Sequence, residues 1–145
     1  MSVSEEVGEK LDNLGFDPFI VRNGVDVADL FHTSNCMSVP KRVLYLTDFQ
    51  DCIPIVEEAC KINDMSLVVR GFPEGNNTFY IRGELAKADI VVSYGRGIYE
   101  AMAAKRYPLV FDVNGGDGWL TSNSWREFVT RNCSGRTNHL SLIHI

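Results

Sequence analysis

The sequence predicts an α/β domain, a Rossmann-like parallel sheet flanked by helices. Four short apolar runs lack polar alternation, a pattern typical of strands buried on both faces; they lie at residues 43–46, 67–69, 90–93 and 109–111. Stretches with the apolar spacing of a helix lie between these runs, and that alternation is characteristic of parallel strands joined by helical crossovers. The length of 145 residues and a hydrophobic content of 45% fit a single domain with its own core.

The first elements are predicted from capping and turn signals. Ser2 and Glu5 have the spacing of a capping box, so a helix is expected to begin at Ser2 and to end at Gly15. Residues 19–21 are expected to form a short strand. Residues 32–40 show no periodicity and end in proline, which predicts a loop.

The helix after the first buried strand is predicted to begin at Asp51, whose side chain suits an N-cap, with Pro54 in the first turn. Its inner face is expected to comprise Ile55, Val56, Ala59, Cys60 and Ile62. Cys52 and Cys60 fall within this apolar pattern and are predicted to be core residues.

In the second half of the chain, a loop is predicted at residues 71–77, a short helix at 81–87 and a terminal helix at 125–131. The helix that Gly95 opens is expected to turn inward Ile98, Ala101 and Met102. The glycine-rich run 114–118 follows the last predicted strand. It is interpreted as a turn, with the lining of a ligand pocket as the alternative.

The composition argues against several classes of protein. The formal net charge is −5, which disfavours a nucleic-acid partner; the charge is −7 over residues 1–64 and +2 over residues 65–145. No apolar run approaches the ~20 residues of a membrane-spanning helix, and the acidic N-terminus lacks the apolar core of a secretory signal. The four cysteines have no zinc-binding spacing, so we expect reduced thiols in a cytoplasmic protein and no bound metal.

The most informative segment is residues 88–103, where a buried strand runs through Ser93 and Tyr94 into Gly95-Arg96-Gly97 and directly into a helix. Ligands of open α/β sheets bind at the carboxyl ends of the strands, and a helix N-terminus attracts phosphate. Arg96 supplies a forked cation suited to a diphosphate, and Glu100 a carboxylate suited to ribose hydroxyls. The alternatives are a plain strand-to-helix turn for the glycines and a helix-dipole role for Glu100.

Two motifs give the chain a resemblance to a known family. Asn23-Gly24-Val25-Asp26 with Phe31, and ADIVVSYGRGIYEAMAAKRYPLVFD at residues 88–112, look like the corresponding motifs of glycosyltransferase family 4. The resemblance extends over residues 3–136. It implies the C-terminal, donor-binding half of a GT-B fold, in which two Rossmann-like halves enclose the active site.

The resemblance also implies a function. The chain would hold a nucleotide diphosphate-sugar, such as a UDP-sugar, for hexose transfer to a glycan, lipid or small-molecule acceptor. Glu100 would be the catalytic candidate and contact the donor ribose, and the loop before it would meet the diphosphate and the sugar. Such enzymes usually work without a bound metal or cofactor. The chain would then be a fragment that lacks the acceptor-binding half, through which peripheral membrane contact is expected.

Three departures from the family pattern leave alternatives open. Residues 47–51 hold no basic residue where the family often has an arginine and a lysine, Val92 stands where a second acid is usual, and residues 105–108 replace a Gly-x-Pro-Val stretch. Arg96 is hypothesised to take over the diphosphate role. The alternative functions are a non-enzymatic α/β module that binds a nucleotide or a protein, and an epimerase or phosphorylase of the same architecture.

Other candidates are assigned structural roles. Asp48 is interpreted as a helix-start residue, with cleft lining as the alternative. Trp119 and Trp125 are interpreted as anchors of the core or of an edge, with stacking on a nucleobase as the alternative. The nucleotide-sugar-binding domain is predicted to span residues 1–136, and residues 137–145 are predicted to be a non-native or disordered tail.

Overall fold

The computed structural model describes residues 1–31, 36–71, 81–138 and 140. Its helices are α1 (Glu5–Asp12), α2 (Val27–Leu30), α3 (Ile53–Ile62), α4 (Ile81–Lys87), α5 (Arg96–Ala103) and α6 (Trp125–Thr130). Its strands are β1 (Arg42–Leu46), β2 (Ser66–Arg70), β3 (Ile90–Ser93), β4 (Tyr107–Asp112) and β5 (Gly115–Trp119). None of the helices within these ranges is long and apolar enough to cross a bilayer.

The five strands form one sheet in the order β2-β1-β3-β4-β5. The first four are parallel, and β5 runs antiparallel to β4. Leu44 of β1 lies between Val68 of β2 and Val91 of β3, which places the chain's most apolar strands at the centre of the sheet. This arrangement confirms the predicted α/β, Rossmann-like class.

Both faces of the sheet are covered by helices. On one face Tyr45 and Val92 pack with Val56 and Cys60 of α3, and on the other Leu44 packs beneath α4 and α5. Burial of each aliphatic side chain in these clusters, such as Leu44, Val56 and Val92, contributes about 1.5–3 kcal/mol to stability. The continuous apolar runs of β1 and β3 are therefore explained, since neither strand has a face that meets solvent. Cys52 and Cys60 are core residues, as predicted.

The N-terminal segment departs from prediction in three ways. The N-cap of α1 is Ser4, whose side chain accepts a hydrogen bond from the Val7 amide, so the expected start at Ser2 was wrong. Residues 19–21 form no strand beyond one isolated parallel bridge between Ser2 and Ile20. The single-turn helix α2 was not predicted, although Asp26 caps it. Local signals are ambiguous here because two serines and a lone apolar triplet each fit more than one conformation.

The helix α3 also begins differently from the prediction. A short 3-10 turn, Gln50–Cys52, precedes it, and the Asp51 side chain makes no capping hydrogen bond. Pro54 lies in the first turn, as expected. The buried face is narrower than the apolar pattern suggested, and Ile62 is 74% exposed. Met102 of α5 is likewise exposed instead of turned inward. In both helices the buried face is a narrow stripe: at about 100° per residue, Ile62 lies about 120–160° around the axis from Val56 and Cys60, and Met102 lies beside the stripe, about 100° from Ala101.

The run 114–118 was wrongly interpreted as a turn or pocket lining, because most of it belongs to β5. The register shifts between Val110 and Phe111 of β4, leaving Asp117 as the extra residue of a bulge on β5. The Asp117 carboxylate accepts the amides of Thr137 and Asn138 at 2.7 and 2.8 Å. The domain boundary at residue 136 and the nature of the tail stay predictions. Residues 32–35 and 72–77 of the two predicted loops lie outside the described residues.

The side chain of Asp89, which directly precedes β3, connects the start of β3 to the segment before β1. This side chain is fully buried and accepts backbone amides from Met37, Lys41 and Arg42, together with the Arg42 guanidinium. Burial disfavours the carboxylate, but these hydrogen bonds outweigh it and hold the pKa of Asp89 well below its usual range. The segment before β1 is thereby fixed to the start of β3.

Candidate functional site

A cleft opens at the carboxyl ends of β1 and β3. The strand order reverses between these two strands, and such switch points are where open α/β sheets bind ligands. The cleft has a volume of about 280 Å³. It is lined by Leu46, Thr47, Asp48, Arg70, Gly71, Ile81, Ser93, Tyr94, Arg96, Gly97 and Glu100. Every predicted site residue except Gly95 lines it, and Gly95 lies in the same loop.

Ser93 and Gly97 fix α5 against the sheet. The buried Ser93 hydroxyl donates to the Leu46 carbonyl at 3.0 Å, linking the ends of β3 and β1. A Cβ on Gly97 would overlap the Ser93 hydroxyl and lie 3.0 Å from the Ser93 Cβ. The absence of a side chain at Gly97 therefore serves helix–strand packing. Its predicted role in the approach of an anion stays a prediction.

Gly95 has a backbone that only glycine adopts readily, with φ 54° and ψ −127°. Its amide donates to the Cys133 carbonyl at 3.0 Å. Asn132 and Cys133 both have left-handed backbones, and the Asn23 side chain donates to the Asn132 side-chain oxygen at 3.0 Å. We call this contact of Gly95 with residues 132–133 the brace. The separate bond between Asn23 and Asn132 places the Asn-Gly-Val-Asp motif next to the residues that Gly95 contacts.

Arg96 and Glu100 face the cleft from the first turns of α5. Their side chains form an ion pair, with 2.8 Å between Arg96 Nε and Glu100 Oε1. The Arg96 side chain is 67% exposed, whereas that of Glu100 is 13% exposed. The pair uses one of the five N–H donors of the guanidinium. The two residues predicted to bind diphosphate and ribose are therefore adjacent, and a ligand that engages Glu100 must share or displace Arg96.

Tyr94 and Asp48 close one side of the cleft. The Tyr94 hydroxyl donates to Asp48 Oδ2 at 2.9 Å, and the Tyr94 ring lies 5.9 Å from that of Phe49. Burial chiefly, and then the hydrogen bond and charge of Asp48, raise the pKa of Tyr94 well above its ordinary value. The cleft-lining alternative for Asp48 is thus confirmed. Its interpretation as a helix-start residue was wrong.

Arg70 is a cleft residue that the sequence prediction missed. It ends β2, and its guanidinium lies 3.4 Å from a Glu84 oxygen of α4. Gly71 follows with φ 137°, and any side chain there would collide with the Thr47 backbone. This close approach draws the end of β2 towards the end of β1. The signal that could have found Arg70 is its position directly after the predicted strand at 67–69.

The charged side chains that line the cleft balance. Arg70 and Arg96 contribute two positive charges, and Asp48 and Glu100 two negative ones. Within the described ranges, no group of three or more His, Cys, Asp or Glu side chains is placed to hold a metal ion. All four cysteines are free thiols, and three of them are buried. The cleft thus offers paired polar groups, an aromatic ring and a helix N-terminus.

Comparison of the chain with protein-family models, curated proteins and solved structures returned no match.

Proposed function

We propose that this chain is the donor-binding domain of a GT-B glycosyltransferase, which holds a nucleotide diphosphate-sugar for transfer of the sugar to an acceptor. The observation that carries the proposal is the position of Arg96 and Glu100. Both enter a cleft at the sheet's switch point from the first turns of one helix. The resemblance of residues 88–112 to the glycosyltransferase block supplies the reaction class.

In this proposal the chain binds and orients the nucleotide diphosphate-sugar and stabilises the negative charge of its diphosphate. Arg96 and the N-terminus of α5 hold the diphosphate, because a guanidinium and free helix amides both favour anions. Glu100 accepts hydrogen bonds from the ribose hydroxyls, which requires its ion pair with Arg96 to open or be shared. Arg70 supplies a second cation in place of the family's basic pair.

Transfer breaks the bond between the sugar's anomeric carbon and the diphosphate while the acceptor oxygen bonds to that carbon. Negative charge then grows on the leaving diphosphate. In this proposal Arg96 and the amides at the N-terminus of α5 hold that charge, and donors fixed by the fold stabilise developing charge at low reorganisation cost. The acceptor and its base would be held by the acceptor-binding half of the enzyme.

The test is calorimetric titration of the protein with UDP, GDP and ADP. We expect one nucleotide to bind saturably, and Arg96→Ala and Glu100→Gln each to weaken it by about tenfold or more, the loss of one charge-assisted hydrogen bond. Lys10→Ala is the matched control. It removes an exposed i,i+4 ion pair with Glu6 in α1, and it should leave the affinity unchanged. Binding that is equal in Glu100→Gln and wild type refutes the proposal.

A second candidate is a non-enzymatic α/β module that binds a nucleotide or a protein. The observation that favours it is the internal pairing of the cleft, in which Arg96 bonds to Glu100, Tyr94 to Asp48 and Arg70 to Glu84. An assay for release of the nucleoside diphosphate from the matching nucleotide-sugar distinguishes the glycosyltransferase domain from the non-enzymatic module. Saturable binding without turnover, even when an acceptor-binding half is supplied, favours the module.

A further inference from the structure

A second concave surface lies between α5 and α6. It consists of two adjoining cavities of about 470 and 500 Å³ that share Met102 and Trp125, and we call it the α5–α6 groove. One end is lined by Pro108, Leu120, Thr121 and Ser122. The other is lined by Glu5, Arg22, Tyr99, Arg126, Val129 and Thr130. None of these residues lines the cleft at the carboxyl ends of β1 and β3, so the two surfaces are distinct.

Trp125 is the central feature of the groove. It begins α6, and it is 40% exposed, whereas Phe128 and Val129 of the same helix are buried in the core. Met102 is exposed beside it. The Arg126 guanidinium carbon lies 5.9 Å from the Trp125 ring. A large aromatic ring left open in a concave surface offers a flat apolar platform for a ligand.

Hydrogen-bonding side chains surround that platform. Glu5 and Arg22 form an ion pair at one end, and both remain part-exposed. Thr121 and Ser122 line the other end, where the Thr121 hydroxyl accepts from the amides of Asn123 and Ser124 at 3.3 Å. An acyl chain in the groove would strip water from these groups without replacing its hydrogen bonds, which is costly. A neutral sugar chain suits the groove better, because a pyranose ring has an apolar C–H face and a rim of hydroxyl groups.

We propose that the α5–α6 groove binds a glycan chain, with a pyranose ring stacked on Trp125. Its hydroxyl groups exchange hydrogen bonds with the Glu5–Arg22 pair and with Thr121 and Ser122. The site has no part in holding a nucleotide, and it does not depend on the proposed function. It would keep a carbohydrate polymer at the protein surface while the cleft at the strand ends binds its own ligand.

The chain provides its own matched control, since it has two tryptophans. Trp119 is 43% exposed, similar to Trp125, but lines neither cavity. The probes are maltohexaose, cellohexaose and chitohexaose, with dodecanoate as the acyl-chain probe. In Trp119→Phe the only indole is Trp125, so its fluorescence reports the groove directly. Affinities come from calorimetric titration of wild type, Trp119→Phe, Trp125→Phe and Trp125→Ala, after each variant is shown to be folded by circular dichroism.

We expect one hexasaccharide to change Trp125 emission saturably. Trp125→Ala should weaken binding by about tenfold or more, the scale for truncating an aromatic anchor. Trp125→Phe should keep much of the affinity, and Trp119→Phe and Glu100→Gln should keep all of it. Unchanged glycan affinity in Glu100→Gln would show that this site is separate from the cleft at the carboxyl ends of β1 and β3. The proposal is overturned if no hexasaccharide binds the folded protein, if Trp119→Phe and Trp125→Ala weaken binding equally, or if only dodecanoate changes the emission.

Discussion

Replacement of Gly97 by alanine tests whether this glycine is required for packing. Alanine in a helix is normally better than glycine by about 1 kcal/mol. At this position, however, the new Cβ would overlap the Ser93 hydroxyl and lie 3.0 Å from Ser93 Cβ and 3.3 Å from Leu46 Cδ1. Ser93 would have to rotate and give up its 3.0 Å bond to the Leu46 carbonyl.

The expected magnitude follows from these contacts. Overpacking costs about 1–3 kcal/mol, and loss of the Ser93 hydrogen bond costs about 1 kcal/mol. After the gain in helix propensity, Gly97→Ala should lower the free energy of unfolding by about 1–3 kcal/mol. For a domain of this size, that lowers the melting temperature by roughly 3–10 °C.

Urea unfolding followed by circular dichroism measures the effect. Gly24→Ala is the control, because no atom lies within 4 Å of the added Cβ and the backbone there is ordinary. We expect it to change stability by less than about 0.5 kcal/mol. Adding Ser93→Gly to Gly97→Ala should recover part of the loss, since it removes the side chain that the methyl group meets. A Gly97→Ala variant as stable as wild type, or more stable, refutes the packing argument.

Three further predictions concern Asp89, Tyr94 and Cys133. Because the pKa of Asp89 is depressed in the folded state, its stabilisation is present above about pH 4, the pKa of an unfolded aspartate, and is lost as the pH falls further. Asp89→Asn should therefore cost about 2–4 kcal/mol at pH 7 in urea unfolding and much less at pH 2; an equal cost at both pH values contradicts this assignment. Tyr94→Phe removes the bond to Asp48 and should cost about 0.5–1.5 kcal/mol by the same assay, and an unchanged midpoint would count against that bond. Burial raises the pKa of Cys133 to about 12. Iodoacetamide at pH 8 should therefore label the part-exposed Cys36 first and Cys133 only in urea, as followed by mass spectrometry. Equal labelling rates of the two thiols in the native protein would contradict the burial of Cys133.

The elements predicted correctly are those whose own residues determine them. The apolar runs of β1 and β3 need burial on both faces, and the sheet provides it. The helix Ile81–Lys87 and the strand Ile90–Ser93 have the predicted boundaries, and Asp89 separates their two apolar patterns. At these positions the residues of each segment were sufficient to predict its secondary structure.

The elements that the sequence prediction missed depend on distant partners. β5 is made largely of glycine, so no apolar pattern marks it, and its pairing with β4 defines it as a strand. Arg70 enters the cleft because Gly71 packs against Thr47, two segments that are far apart in the chain. The position of Glu100 in the cleft was predictable from its spacing after Gly95. Its ion pair with Arg96 was not predicted, although the i,i+4 spacing of the two residues in a helix indicates such a pair.

The brace between Gly95 and Cys133 has a consequence for the extent of the functional unit. The sheet and α5 are complete before α6 begins, yet the loop that precedes α5 is fastened to a turn beyond the end of α6. A polypeptide truncated after β5 would retain every strand while its glycine loop lost the anchor at Cys133. Because Phe128 and Val129 of α6 also belong to a core cluster with Ile98 and Val110, the truncation would remove core packing together with this anchor, so the unit that folds and the unit that holds the loop both extend through Cys133.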